Sequence, residues 1–242
     1  MLLELKNIKK TFYNENSLTE VIKDVSFNVN ENEIVSILGP SGCGKSTILN
    51  IINNLITPSF GEVTLNSKLG YMFQKDCLMP WRSLYKNIIL GLEINKIKTK
   101  ENEDYAKELM KKYHLIDFAS YSINELSGGM KQRASLIRTL VLKPDLLLLD
   151  EPFSMLDAQT RINVQNDVYS IIKEEKKSAL IITHDISEAI ALSNRIIILS
   201  ERPTIVKKIV NVEFENLSPL ERRKSIKFNK YYNMISNELG IL

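Results

Sequence analysis

The stretch Val25-Ser26-Phe27-Asn28-Val29 alternates apolar and polar side chains with a period of two, the mark of a half-buried strand. Glu33-Ile34-Val35-Ser36-Ile37-Leu38 is more continuously apolar and predicts a buried strand. A Gly-rich turn follows, then apolar positions at Ile48, Leu49, Ile51, Ile52 and Leu55 that fit one face of a helix. Glu62 to Leu65 and Leu69 to Phe73 predict further strands. From Ser83 to Leu142 the pattern is helical, with Ala106, Leu109 and Met110 spaced along a charged segment and no clear strand. Strand signals return at Leu146 to Leu149, Ala179 to Thr183 and Arg195 to Leu199, separated by helical stretches. Such alternation predicts a parallel sheet covered on both faces. Thr204 to Val212 reads as an antiparallel addition, and Pro219 to Leu239 as a polar helical tail.

These elements define one α/β domain. Residues 1–82 and 143–212 form its core, 83–142 a helical subdomain and 213–242 a C-terminal tail. The 32 Lys and Arg nearly balance the 29 Asp and Glu, so the charge makes no demand for nucleic acid. The basic run Glu221-Arg222-Arg223-Lys224-Ser225-Ile226-Lys227 is expected to be a solvated helix face. Cys43 and Cys77 have neither metal-ligand spacing nor a disulfide framework, which fits a reducing compartment. No apolar run approaches the roughly 20 residues that cross a bilayer. A soluble protein is expected, with any membrane role passing through a partner.

Gly39-Pro40-Ser41-Gly42-Cys43-Gly44-Lys45-Ser46, followed by Thr47, fits G-x-x-x-x-G-K-[ST] between a strand and a helix. Glycines let the backbone fold tightly, so that N–H groups point inward at a phosphate, and the helix N-terminus faces the same anion. Lys45 adds a mobile positive charge, and the Ser46 hydroxyl suits Mg²⁺. At the end of the apolar run Leu146 to Leu149 stand two adjacent carboxylates, Asp150 and Glu151, at the strand edge where α/β sheets bind ligands. Asp150 is the candidate Mg²⁺ holder and Glu151 the candidate general base for an attacking water. Leu126-Ser127-Gly128-Gly129-Met130-Lys131-Gln132 is a second Gly-rich turn opening a helix, and so a second anion site.

In this order and spacing the three segments resemble the Walker A, signature and Walker B motifs of ATP-binding cassette ATPases, and the resemblance covers nearly the whole chain. It implies a RecA-like P-loop sheet with an N-terminal antiparallel β part and an inserted helical subdomain. It implies ATP and Mg²⁺ as cofactors. It also implies a head-to-tail dimer, in which Ser127, Gly128 and Gly129 of one copy close over ATP held by the other. Gln74 resembles the Q-loop glutamine that senses Mg²⁺ and the permease. His184 resembles the switch histidine that contacts the γ-phosphate, and Asp157 the D-loop aspartate that couples the two sites. Phe12 resembles the aromatic that stacks on adenine, with Tyr13 the competing choice. His114 has no such context and reads as structural.

Two stretches narrow the resemblance. Phe73 to Arg82 (FQKDCLMPWR) and Leu199 to Pro203 (LSERP) are similar to segments of the nitrate, sulfonate and taurine importer group. That implies membrane permease subunits, an external substrate-binding protein, a small anionic solute, and a peripheral place on the cytoplasmic face of a bacterial membrane. Pro80 predicts a bent surface loop, in which Trp81 and Arg82 line a groove for a permease helix. The alternative is a soluble or regulatory cassette ATPase not engaged in transport: a single cassette with no long coiled coil argues against the first, and intact Glu151 and His184 against the second. The pattern departs at Asn32 and at Asn53-Asn54, where the family has glycine. Asn is the non-glycine residue that best tolerates left-handed backbone, so these turns are expected to survive.

Overall fold

The computed structural model describes residues 1–14 and 17–241. Three parallel strands are buried along almost their whole length: β3 (Ile34–Leu38), β6 (Leu146–Asp150) and β7 (Ser178–Thr183). A strand buried on both faces has no use for alternation, and these read accordingly as apolar runs. The two faces are still distinct. Leu147 and Leu149 of β6 pack into one apolar cluster, Leu146 and Leu148 into another. β5 (Leu69–Met72) pairs parallel with β6, and β8 (Arg195–Leu199) parallel with β3.

The other strands extend this sheet. β1 (Leu3–Asn14) and β2 (Ser17–Val29) form a long antiparallel pair, and β4 (Phe60–Leu65) runs antiparallel on the outer side of β1. β9 (Thr204–Asn211) pairs antiparallel with β8 and parallel with β2, which joins the two parts. The order is β4-β1-β2-β9-β8-β3-β7-β6-β5.

Helix α1 (Lys45–Ile52) packs among β1, β2 and the sheet. Leu55, expected on its apolar stripe, lies past its end and is 70% exposed. The helix stops at Asn53, and Asn54 turns the chain at φ 57. Asn32 adopts φ 58, so both departures from glycine occupy the left-handed region their side chain tolerates.

Between β5 and β6 lie α2 (Leu84–Ile88), α3 (Leu90–Ile94), α4 (Lys100–Lys112) and α5 (Gly128–Leu140). α4 starts at Thr99, whose hydroxyl accepts from Asn102 N–H. Acidic residues stand in its first turn and Lys111 and Lys112 in its last, as the helix dipole favours. Its buried positions are Ala106, Leu109 and Met110. His114 turns the chain past this helix at φ 57 while Leu115 N–H bonds back to Met110, which makes it a helix-terminating residue.

After β6, α6 (Ala158–Glu174) and α7 (Ile186–Leu192) cover the sheet. The chain then ends in α8 (Pro219–Lys224) and α9 (Ile226–Leu239). The tail corrects one expectation. Its basic run is not simply a solvated face: Glu221, Lys224 and Lys227 are exposed, but Arg222 is only 2% exposed. Its guanidinium donates to the carbonyls of Leu217, Ala191 and Ser193 and to the Tyr169 hydroxyl, and stacks between Tyr169 and Phe214. Arg222 thus satisfies the carbonyls at the end of α7 and fastens the tail to the domain. Charge counting along the sequence misses this because a guanidinium has an apolar face as well as five donors. Arg222→Ala should lose about 2–3 kcal/mol of unfolding free energy, since two buried carbonyls lose their donor; urea denaturation of the two proteins measures it.

Candidate functional site

The phosphate-loop candidate leaves the end of β3 and enters α1. Gly42 (φ 76) and Gly44 (φ 109) hold backbone angles that L side chains rarely adopt, and Gly44 is the N-cap of α1. Among the described residues no side chain caps that helix, so its first N–H groups are open to an anion. Lys45 is largely buried and folds back across the loop. Its Nζ donates to Gly39 O at 2.7 Å and Pro40 O at 2.9 Å. Cys43 is buried beneath the loop and burial pushes its thiol up, while its carbonyl accepts from the Thr204 hydroxyl. Ser41 and Ser46 are exposed beside it, and Thr47 is half-buried. A glycine-built loop with uncapped N–H groups and a lysine inside fits a chain of phosphates.

The carboxylates stand where the strand order places them. Asp150 ends β6, and the Tyr71 hydroxyl donates to its Oδ2 at 3.1 Å. Burial raises the Asp150 carboxyl above its usual range and the charge of Glu151 adds to this, against the pull of the Tyr71 hydroxyl and Lys45. Tyr71 was not singled out from sequence. The available signal was period two: Tyr71 pairs with Leu148, which lies on the same face of β6 as Asp150.

Glu151 turns out of the sheet at φ 42, its N–H held by Ile182 O. Its carboxylate is gripped from two sides. Gln74 Nε2 donates to Oε2 at 3.1 Å, and His184 Nδ1 lies 3.2 Å from Oε1. Gln74 also donates to Ser154, whose hydroxyl in turn donates to Glu151 O. Residues 74, 151 and 184 come from loops after β5, β6 and β7, and so meet only because those strands are neighbours. The arrangement can hold a carboxylate ready to take a proton from a water.

Ser127 and Gly128 are exposed, and Ser127 caps α5 by accepting from Met130 N–H. Gly129 is buried, and a Cβ there would sit 3.0 Å from Val164. Among the described residues, no hydrogen bond joins this turn to Gly39–Thr47. Asp157 caps α6, accepting from Thr160 N–H at 3.0 Å, which holds its carboxyl below the usual range. Phe12 is half-buried against the cluster around β1, with Lys10 over its ring, while Tyr13 is 74% exposed.

A mixed sheet with a phosphate loop after one buried strand and paired carboxylates after another defines a P-loop nucleoside triphosphatase. A family model described as ABC transporter matches residues 22–154. An ABC transporter ATP-binding protein of Bacillus subtilis is 40% identical over 99% of this chain and 96% of its own. The aliphatic sulfonates import ATP-binding protein SsuB of Bacillus cereus is 36% identical over 93% of this chain and 90% of its own. The ATP-binding cassette MJ0796, solved as a dimer in a post-hydrolysis state with ADP and phosphate, superposes with a TM-score of 0.73. It is 32% identical and covers 88% of this chain and 100% of its own. This chain belongs to the ABC transporter family, as an ATP-binding, ATP-hydrolysing subunit.

Two substitutions separate binding from chemistry. Lys45→Ala should abolish ATP binding or turnover, read by nucleotide titration and phosphate release; near-normal turnover would overturn the role of the loop. Glu151→Gln should keep ATP binding and lose hydrolysis by on the order of 10²- to 10⁴-fold, the usual contribution of a general base. Measured phosphate release at the wild-type rate would remove Glu151 from that role.

Proposed function

We propose that this chain energises an importer. Two copies pair head to tail, each supplying Ser127, Gly128 and Gly129 to the phosphate loop of the other. The observation that carries the hydrolytic part is the convergence of Gln74 and His184 on the two oxygens of Glu151.

The roles divide along the loops. The backbone of Gly39 to Thr47 and the Lys45 ammonium bind the triphosphate, and Phe12 stacks on adenine. Ser46, Gln74 and Asp150 are the set that would hold Mg²⁺. The raised carboxyl of Asp150 supports this, because a buried acid gains most from a nearby cation. When bound, the cation neutralises charge on the phosphates. Glu151 accepts the proton of the attacking water. Gln74 and His184 orient its two oxygens, and Asp157 passes the state of one site to the other across the dimer.

The importer reading draws on the sulfonate-import relatives and on the loop after Gln74. Trp81 is 79% exposed at the tip of that loop, while Leu78 anchors its base in the core. A large apolar side chain in open solvent favours a partner that covers it. Arg82 follows it, and its ion pair with Glu93 at 2.6 Å also fixes the loop against α3. Among the described residues no helix is long and apolar enough to cross a membrane. The proposed setting is therefore peripheral, on the cytoplasmic face, docked to permease subunits that an external binding protein supplies with a small anion such as a sulfonate, taurine or nitrate. No nucleic acid takes part.

Trp81→Ala should leave ATP binding and the thermal melt of the isolated subunit nearly unchanged while weakening co-purification with its membrane subunits. A collapsed melt would mark Trp81 as a folding residue. An intact melt with unchanged co-purification would put the docking surface elsewhere.

A further inference from the structure

Behind Glu151 and His184 lies a small cavity of about 50 Å³, lined also by Phe153, Ser154, Arg161, Thr183, Asp185 and Glu188. Glu188 is 4% exposed, and among the described residues its Oε1 lacks a well-formed hydrogen bond, with only the Thr183 hydroxyl turned toward the carboxyl. Two guanidinium nitrogens of the same cluster, Arg161 Nε and Arg223 Nε, are also buried and unpartnered. Buried polar atoms are ordinarily satisfied, so three exceptions around one carboxyl call for a reason.

The cluster joins four elements. From α7, Asp185 directly after His184 lines the same cavity as Glu188 and caps the helix, accepting the backbone N–H of Glu188 at 3.0 Å. From α6, Gln165 Nε2 donates to Glu188 Oε2, and Arg161 reaches toward Asp185 at 4.0 Å. Arg161 Nη2 also donates to Leu156 O, the residue before Asp157. From α8, Arg223 Nη2 donates to Gln165 Oε1 at 2.6 Å. From β7, Thr183 faces the same carboxyl.

We propose that Glu188 is a positioning residue for hydrolysis, the buried hub through which α6 and the C-terminal helix α8 fix the loop that carries His184. Within the ATPase reading of the site it touches no reacting atom and acts through Asp185 and His184. The chemistry of the hub depends on its charge. Burial above all, and then the neighbouring Asp185, push the Glu188 carboxyl up to about 8, while Thr183, Arg161 and Arg223 oppose the rise. Near neutral pH the hub is an uncharged acid and Arg161 remains on Leu156 O and near Asp185. Once ionised, it competes for Arg161 and Arg223 and draws them off those partners.

An acid whose folded value lies above its unfolded value stabilises the fold at low pH, and that contribution is lost as pH rises toward about 8.

The test uses the full chain and three variants, Glu188→Gln, Glu188→Leu and Arg223→Ala. Wild-type kcat for ATP should fall above about pH 8, and its melting temperature should decline between about pH 5 and 8. Glu188→Gln, which keeps the neutral shape, should flatten both profiles relative to wild type while retaining neutral-pH turnover. Glu188→Leu should lower kcat on the order of tenfold with the KM for ATP unchanged, the result of a displaced catalytic loop. Arg223→Ala should displace the alkaline inflection to higher pH, because a cation facing the carboxyl is gone. Matching pH profiles for wild type and Glu188→Gln would overturn the proposal, as would an unaltered kcat in Glu188→Leu. If Glu188→Leu does not fold, the comparison of Glu188→Gln with wild type and the Arg223→Ala inflection decide alone. A wild-type chain with no turnover at all would instead overturn the hydrolytic role of Glu151.

Discussion

A parallel strand buried on both faces has nowhere to put a charge except at its ends, and that constraint organises this molecule. β3, β7 and β6 lie side by side with the half-buried edge strand β5 beyond them, and each releases a functional group near its end. Gln74 comes just after β5, Asp150 and Glu151 come at the end of β6, His184 directly follows β7, and Gly39 follows β3. The core is thus the instrument that brings distant parts of the chain to one edge. Residues 77 positions apart in sequence can share a hydrogen bond there without any local turn joining them.

Much of this was legible in the sequence because the same constraint leaves a written trace. Apolar runs of four or five residues that end abruptly in Gly, Gln, Asp-Glu or His mark both the strands and the edge. The helical nature of the segment between β5 and β6 was equally clear from the spacing of Ala106, Leu109 and Met110. Other features depend on neighbours that no single segment announces. Tyr71 reads as strand filler until β5 is known to lie beside β6. Arg222 reads as one charge in a basic run until the carbonyls of α7 are seen to need it. Arg82 reads as an interface residue from its type, and its ion pair with Glu93 shows only in the fold. Glu188 is one acidic residue of a short, otherwise apolar helix until four elements close around it.

The polar groups of the site are held unequally, and the inequality matches their tasks. Glu151 is restrained through both oxygens and through its own N–H, at a backbone angle non-glycine residues seldom adopt. Asp150 has a single tyrosine donor. The signature turn at Ser127 and Gly128 is exposed and makes no hydrogen bond to the phosphate loop of its own chain. A carboxylate held on both oxygens beside a more loosely held acid, with the Ser127–Gly129 turn exposed and, among the described residues, not bonded to the loop at Gly39–Thr47, suits the proposed pairing of two chains.

The embrace of Lys45 with the carbonyls of Gly39 and Pro40 has a consequence for how nucleotide is captured. A loop that closes around its own ammonium has already surrendered its conformational freedom during folding, so the arriving triphosphate has little further disorder to remove. On the proposed role of this loop, capture would be a swap of partners, the lysine trading two backbone oxygens for phosphate oxygens. Recognition of this kind resembles a key meeting a finished lock.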